Sequence, residues 1–359
     1  MQQIRVLVVD DSAFMRKMLT TMMEKDPAIK VVGTAKNGQD ALEQISALQP
    51  DLVTMDIEMP IMDGLTALEQ IMERTPVPVI MVSSLTTEGA EATLKALDLG
   101  ALDFIAKQTS FVSTDIVKIE KELIHKVKLF ARKQPTQRFR IHRPLTEQRV
   151  SKRVPAPPPA SVPQQPPRTT PRRAGKARII AIGTSTGGPP ALQAVLTRLP
   201  AATPVPIVIV QHMPPAFTGP LAKRLNSLCA IEVREAQHGD VLQPGLALLA
   251  PGAKHMTIKA GRIQLSDLPD NTLHKPSVDV MAQSVCQEFG ASTLGVIMTG
   301  MGNDGLQAFR MLYEMGGSVI AQSAETCVVY GMPRAVVEHG VYTEIADLQD
   351  IAARIQTYW

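Results

Sequence analysis

Arg178-Ile-Ile-Ala-Ile-Gly-Thr-Ser-Thr-Gly-Gly-Pro-Pro190 is an apolar run that stops at glycine and presents a serine just before a helical pattern. Strand, turn and helix in that order are the repeating unit of an α/β protein built on parallel sheet. The turn has a chemical reading as well. Gly183-Thr184-Ser185-Thr186-Gly187 fits G-x-S-x-G, in which flanking glycines permit a sharp strand-to-helix turn and the serine oxygen projects from the sheet's end. A plain connection or a phosphate cradle uses the same residues, so the rest of the chain must decide.

At 359 residues the chain is too long for one core, and 45% hydrophobic content suits two packed units with a connection. No apolar run reaches the length of a membrane span, and the start Met-Gln-Gln-Ile-Arg-Val-Leu-Val-Val-Asp-Asp-Ser12 has no signal-peptide pattern, so a cytoplasmic protein without membrane insertion is expected. Cys229, Cys286 and Cys327 are odd in number and set among apolar residues, which suits buried free thiols. The net charge of +3 conceals an uneven distribution. Residues 131–178 hold thirteen Lys or Arg against the single acid Glu147, giving that segment +12 and the remainder −9. Ten of the 28 prolines fall in the same segment, so it reads as a solvated, semi-extended tether rather than a nucleic-acid-binding domain. The expected division is 1–130, a linker over 131–177, and 178–359.

The first unit alternates strands near Ile4–Val9, Lys30–Thr34, Leu52–Met55, Val79–Ser83 and Asp103–Ile105 with helical patterns. Five βα units predict a doubly wound, five-stranded parallel sheet with ligands at the strands' C-terminal ends. The second unit places strands near Ile179–Ile182, Ile207–Val210, Thr293–Met298 and Ser318–Ala321. Helices are expected at Pro190–Arg198, Phe217–Leu228 and Leu306–Met315, and the turn-rich stretch Ile231–Leu265 predicts an antiparallel extension of a mostly parallel, doubly wound sheet.

Asp10 and Asp11 end the first strand and Asp56 ends the third. Three carboxylates at neighbouring strand ends repel one another unless a hard cation joins them; Mg²⁺ would turn the cluster into a phosphate site, with Asp56 as nucleophile. Ser83 and Lys107, at the ends of the fourth and fifth strands, are placed to hydrogen-bond and neutralise a phosphoryl group. Singly, each has an ordinary explanation: helix cap, turn residue or surface charge. The set, within Val-Val-Asp-Asp-Ser12, Met55-Asp-Ile-Glu-Met-Pro-Ile-Met-Asp-Gly64, Met81-Val-Ser-Ser-Leu-Thr86 and Asp103-Phe-Ile-Ala-Lys107, closely resembles the receiver domains of two-component response regulators over roughly Ile4 to Leu123. The resemblance implies a flavodoxin-like fold, Mg²⁺ held by Asp10, Asp11 and Asp56, phosphorylation of Asp56, phosphate sensing by Ser83 and Lys107, and a switch aromatic at Phe104.

Serine needs a base within hydrogen-bond reach and a carboxylate to orient that base. Val205-Pro-Ile-Val-Ile-Val-Gln-His212 delivers His212 at a strand end, and Thr293-Leu-Gly-Val-Ile-Met-Thr-Gly-Met-Gly-Asn-Asp304 delivers Asp304 in a glycine-rich loop. Ser185, His212 and Asp304 therefore meet above one sheet edge as a triad. Backbone N–H groups near Thr186 and Met301 are the candidate oxyanion donors. His255 and His274 read as pocket-lining or structural, with substrate contact as the lesser alternative, and Asp279 as a helix first-turn acid. The order Ser, His, Asp differs from that of α/β-hydrolases.

Gly183-Thr-Ser-Thr-Gly-Gly188, Ile209-Val-Gln-His-Met-Pro214, His274-Lys-Pro-Ser-Val-Asp-Val-Met281 and Met298-Thr-Gly-Met-Gly-Asn-Asp-Gly305 resemble the catalytic domain of the bacterial chemotaxis protein-glutamate methylesterases, over roughly Arg178 to Gln356. Carried over by position, Ser185 is the nucleophile, His212 the general base and acid, and Asp304 the orienting carboxylate, with no cofactor in that unit. The resemblance further implies demethylation and deamidation of chemoreceptor cytoplasmic helices, a chemotaxis histidine kinase as phosphodonor, recruitment to receptor clusters, and an unphosphorylated receiver that obstructs the cleft; a monomer is expected. Two rivals fare worse. A DNA-binding output lacks a recognition helix, its basic charge lying among prolines, and a nucleotide-binding output lacks the lysine of a phosphate loop.

Overall fold

Apolar, β-branched runs form the strands, and polar caps start the helices between them. A computed structural model describes residues 3–107, 113–131 and 176–359. The expected tether falls almost wholly outside these residues. β1 (Ile4–Val9), β2 (Ile29–Ala35), β3 (Leu52–Asp56), β4 (Val79–Ser84) and β5 (Asp103–Lys107) form a parallel sheet of order β2-β1-β3-β4-β5. β3 is buried along its whole length, as a central strand covered on both faces must be. Helices α1 (Ala13–Met23), α2 (Gly38–Leu48), α3 (Gly64–Arg74) and α4 (Thr87–Asp98) each begin behind a side chain that accepts an otherwise orphan amide: Ser12, Asn37, Asp63 and Thr86. α5 (Ser113–Ala131) completes the wrapping. Because order reverses between β1 and β3, their C-terminal ends flank a crevice.

The second sheet has seven strands in the order β14-β13-β12-β6-β7-β9-β8, and every pairing is parallel. In chain order these are β6 (Ile179–Thr184), β7 (Ile207–Gln211), β8 (Glu232–Glu235), β9 (Leu246–Leu249), β12 (Thr293–Ile297), β13 (Ser318–Gln322) and β14 (Glu344–Ala346). The expected antiparallel part is present as a separate hairpin, β10 (His255–Lys259) with β11 (Arg262–Ser266). β8 and β9 instead join the parallel sheet. α6 (Gly188–Leu196), α7 (Pro215–Leu228), α8 (Val278–Phe289), α9 (Leu306–Glu314), α10 (Met332–Glu338) and α11 (Leu348–Gln356) cover its faces. The three cysteines are free; burial raises the thiols of Cys229 and Cys286 to about 11, which keeps them protonated and unreactive.

The two α/β units share a contact. α4 packs against α6 and α7, Asp98 pairs with Arg224, and the Phe104 ring stacks on Phe217 with centroids 4.5 Å apart. Lys126 on α5 steadies Phe104: its ammonium donates to the Phe104 carbonyl at 2.7 Å and lies 5.6 Å from the ring centroid. Burial alone would lower the Lys126 pKa, but Asp103 and Glu122 outweigh it and hold the charge. Val329 of the second unit belongs to the apolar cluster built on β1, β4, β5 and α5, with Met301 and Val328 packed against it. No described helix is long and apolar enough to cross a membrane.

Candidate functional site

β12, β6 and β7 lie side by side, so whatever follows their C-terminal ends is gathered at one rim. Ser185 follows β6 directly. Its amide donates to the Thr299 carbonyl at 3.1 Å, and its own carbonyl accepts from the Gly188 amide at 2.8 Å and the Gln211 side-chain amide at 2.9 Å. Two glycines make this turn possible. Gly187 has φ +75° and a Cβ there would meet Val328 at 2.5 Å; a Cβ on Gly300 would lie 2.8 Å from that of Ser185. Gln211, the last residue of β7, is buried; its amide group also donates to the His212 carbonyl at 3.0 Å, so one side chain ties together the backbones of Ser185 and His212.

His212 Nε2 lies 2.8 Å from Asp304 Oδ2. The same Asp304 oxygen accepts the Val278 amide at 2.7 Å, while Oδ1 accepts the Ser277 hydroxyl at 2.9 Å and the Asp279 amide at 3.0 Å. Ser277 caps α8, so the carboxylate sits on a helix N-terminus, where orphan N–H groups favour negative charge. Burial would raise the Asp304 pKa, yet the His212 hydrogen bond and charge, with the Asp279 and Val278 amides, lower it to about 2. Asp279 is in the first turn of α8, as expected, and accepts the Ala308 amide at 2.8 Å; burial and then the charge of Asp304 push its carboxyl up.

With Nε2 committed to Asp304, Nδ1 is the ring nitrogen that remains. It is buried and has no protein hydrogen-bond partner among the described residues. No bond therefore joins it to the Ser185 hydroxyl in this structure; such contacts commonly close only around substrate. The amides of Thr186 and Met301 donate to no backbone carbonyl among the described residues. The Thr186 carbonyl is fixed by the Thr299 hydroxyl at 2.9 Å, and the Thr299 amide by buried Gln322 at 2.8 Å.

Sequence reasoning did not anticipate Gln211, Gln322, Ser277 or the α8 amides as supports. The signal was present for two of them, since Gln211 precedes His212 and Ser277 opens a Ser-Val-Asp helix start. His274 lies nearer the chemistry than expected, its ring stacked on His212 with centroids 4.0 Å apart. His255 is fully buried, its Nε2 engaged by the Pro269 carbonyl at 2.9 Å and the Thr272 hydroxyl at 3.1 Å, which suits the structural reading.

At the other rim, oxygens of Asp10, Asp11 and Asp56 lie within 4.8 Å of one another. The Lys107 ammonium bridges Asp56 at 2.7 Å and Asp10 at 2.9 Å. Burial would lower the Lys107 pKa, but those two carboxylates raise it, so the residue is a fixed cation. Burial raises the Asp56 carboxyl, with a smaller push from Asp10, and outweighs the Lys107 ammonium and the Ile57 amide, which lower it. All-oxygen donors with surplus negative charge fit a hard divalent ion. Ser83 is buried but turned toward α4: its hydroxyl accepts from Thr93 at 2.7 Å and donates to the Gly89 carbonyl at 3.1 Å. Phe104 is turned inward onto Phe217.

A family model for CheB methylesterase matches residues 180–355, and one for the response regulator receiver domain matches residues 6–116. The chain is 53% identical over 363 residues to protein-glutamate methylesterase/protein-glutamine glutaminase 1 of Oleidesulfovibrio alaskensis, covering 98% of this chain and 98% of that protein. It is 53% identical over 360 residues to protein-glutamate methylesterase/protein-glutamine glutaminase 2 of Nitratidesulfovibrio vulgaris, with the same coverage of both. The crystal structure of the Thermotoga maritima CheB methylesterase catalytic domain is 38% identical and matches 51% of this chain and 97% of its own, with a TM-score of 0.48. With relatives of this identity along nearly its whole length, the chain belongs to the family of protein-glutamate methylesterases/protein-glutamine glutaminases, whose members here join a receiver domain to a CheB methylesterase domain.

Proposed function

We propose that this chain hydrolyses methyl esters of glutamate side chains, and the side-chain amides of glutamines, on chemoreceptors, under the control of a phosphoryl group on Asp56. The observation that supports the chemistry best is the His212–Asp304 pair seated on the α8 N-terminus beside Ser185. Asp304 holds the proton on Nε2, leaving Nδ1 to take the Ser185 proton as the serine oxygen bonds to the ester carbonyl carbon. The Thr186 and Met301 amides receive the developing oxyanion. Collapse breaks the acyl–oxygen bond, and His212 returns its proton to the departing methanol. Water then repeats the sequence on the acyl-enzyme, releasing glutamate and restoring the serine. An amide follows the same course with ammonia leaving.

The receiver over 1–130 accepts its phosphoryl group from a histidine kinase: an Asp56 oxygen bonds to phosphorus as the donor's N–P bond breaks. Asp10, Asp11 and Asp56 would hold Mg²⁺, which when bound offsets the negative charge of the phosphoryl group. Lys107, now shared by Asp56 and Asp10, is positioned to re-pair with phosphate, and Ser83 to turn from α4 toward it. Phe104 couples this site to the catalytic unit over 178–359 through its stack on Phe217, with 131–177 as the linker. A substrate on chemoreceptor cytoplasmic helices would place this action at receptor clusters, from the cytoplasm.

Methanol release from methylated receptor should rise on adding acetyl phosphate, and Asp56→Asn should remove that rise while leaving basal release. Equal stimulation of the Asn variant would reject Asp56 as the acceptor. Phe104→Ala should raise the unphosphorylated rate. An aromatic stack contributes roughly 0.5–1.5 kcal/mol beyond its buried area, and about 1.4 kcal/mol is tenfold in an equilibrium, so an increase of about two- to tenfold is expected. An unchanged or lower rate would show that the stack does not restrain the enzyme.

A further inference from the structure

The segment between β11 and α8, residues 267–276, borders the catalytic base and is held firmly. Lys254 pairs with the Asp267 carboxylate at 2.7 Å, and Lys275 donates to the Asp267 carbonyl at 2.5 Å. His255 secures the middle, its Nε2 meeting both the Pro269 carbonyl and the Thr272 hydroxyl, and the Ala253 amide donates to the Lys275 carbonyl at 3.1 Å. Burial lowers the pKa of His255, which keeps this internal support neutral. His274, in the same segment, lies face to face with His212.

Two leucines depart from this pattern of secured contacts. Leu268 is 67% exposed and Leu273 is 82% exposed, although the receiver is docked elsewhere on the catalytic unit. The bonds on either side of them fix the backbone, so the side chains are held outward rather than left to collapse. Leu273 is the immediate neighbour of the histidine stacked on the base. Near the Ser185 turn, where Val328 lies against Gly187, Val328, Val329 and Met301 pack with the receiver's apolar core.

We propose that Leu268 and Leu273 form an apolar rim that contacts the substrate protein beside its esterified glutamate. This rests on the reading of Ser185 as nucleophile toward a side chain of another protein. A glutamate side chain is short, so bringing its carbonyl to Ser185 lays the substrate's backbone and neighbouring side chains across the rim. This segment is exposed beside the site, and between its polar residues Asp267, Asp270 and Asn271 it holds Leu268 and Leu273 outward, so the two leucines favour a polypeptide carrying apolar side chains next to the modified residue. Free methyl esters have nothing to place there.

The test pairs two readouts in the full-length protein carrying Leu268→Asn and Leu273→Asn together. Methanol release from methylated receptor reports docking and chemistry; covalent labelling by a small fluorophosphonate reports the reactivity of Ser185 alone. The expected result is a fall of about tenfold or more in kcat/KM on receptor, with labelling within about twofold of wild type. Unchanged receptor hydrolysis overturns the proposal, and so does an equal fall in both readouts, which would mean that the segment acts only by positioning His212. A concentration-dependent dimer that the substitutions dissolve would assign the leucines to a second copy of the chain, and also overturns it. Failure of the nucleophile reading shows separately, as labelling that persists in Ser185→Ala.

Discussion

Ser185→Ala is expected to abolish methanol release from methylated receptor, lowering kcat by about 10⁴-fold or more, while Asp56 still takes phosphate from acetyl phosphate. The size of the loss follows from how a nucleophile, base and carboxylate act as a unit: without the serine oxygen, His212 and Asp304 have no proton to move, and only oxyanion contacts and binding remain. The fold should be indifferent to the change. Every bond that the structure gives Ser185 uses its backbone: the amide to Thr299, the carbonyl to Gly188 and Gln211. Alanine keeps all of them. The phosphoacceptor site is assembled from β1, β3 and β5 of the other sheet, so radiolabelled phosphate uptake serves as an internal control. An Ala variant that retains substantial esterase activity would remove Ser185 from the reaction, whatever the family resemblance.

Ser185, His212 and Asp304 could be singled out because each follows a strong apolar strand, and such runs are local features of the sequence. β6 and β7 are buried at every position, so their apolar runs, Ile-Ile-Ala-Ile and Ile-Val-Ile-Val, mark them without any knowledge of neighbours. Strand order was not legible. That β12, β6 and β7 are consecutive in the sheet depends on helix packing and crossovers remote in sequence. The same limit explains the Ile231–Leu265 region. β8 and β9 have four residues each, too few to display a period, and the turn signals between them suggest a hairpin where the chain instead returns to pair in parallel. The sequence pattern placed Ser83 at the correct strand end but carried no sign that its hydroxyl would be satisfied by α4. Nor could it show Asp304 seated on α8, because capping by a residue some 26 positions away is a tertiary contact.

That seat makes Asp304→Asn the second large expected effect. Around the carboxylate stand the His212 ring, the Ser277 hydroxyl and the Val278 and Asp279 amides, all able to donate to it. An asparagine presents one oxygen and one NH₂ to this set, so at least one donor must face another donor. If the NH₂ turns toward His212, Nε2 must become the acceptor, the proton moves to Nδ1, the nitrogen meant to receive the serine proton is already occupied, and the Val278 amide loses its acceptor. If it turns the other way, the Ser277 hydroxyl and the Asp279 amide lose theirs. The first outcome lowers kcat by about 10⁴-fold, as a wrong tautomer does in related chemistry, and both cost stability. The stability component has a defined pH dependence. Asp304 is held at about 2 against an ordinary 3.8, so its ionised form contributes about 2 kcal/mol that is fully present above pH 3.8 and lost as pH falls through about 2. Denaturant unfolding of the catalytic unit should therefore separate wild type from Asp304→Asn near neutrality and bring the two together as pH falls through that window. A gap that persists unchanged at low pH would assign the loss to packing. An Asn variant with wild-type turnover would mean that Asp304 secures α8 and does not orient His212.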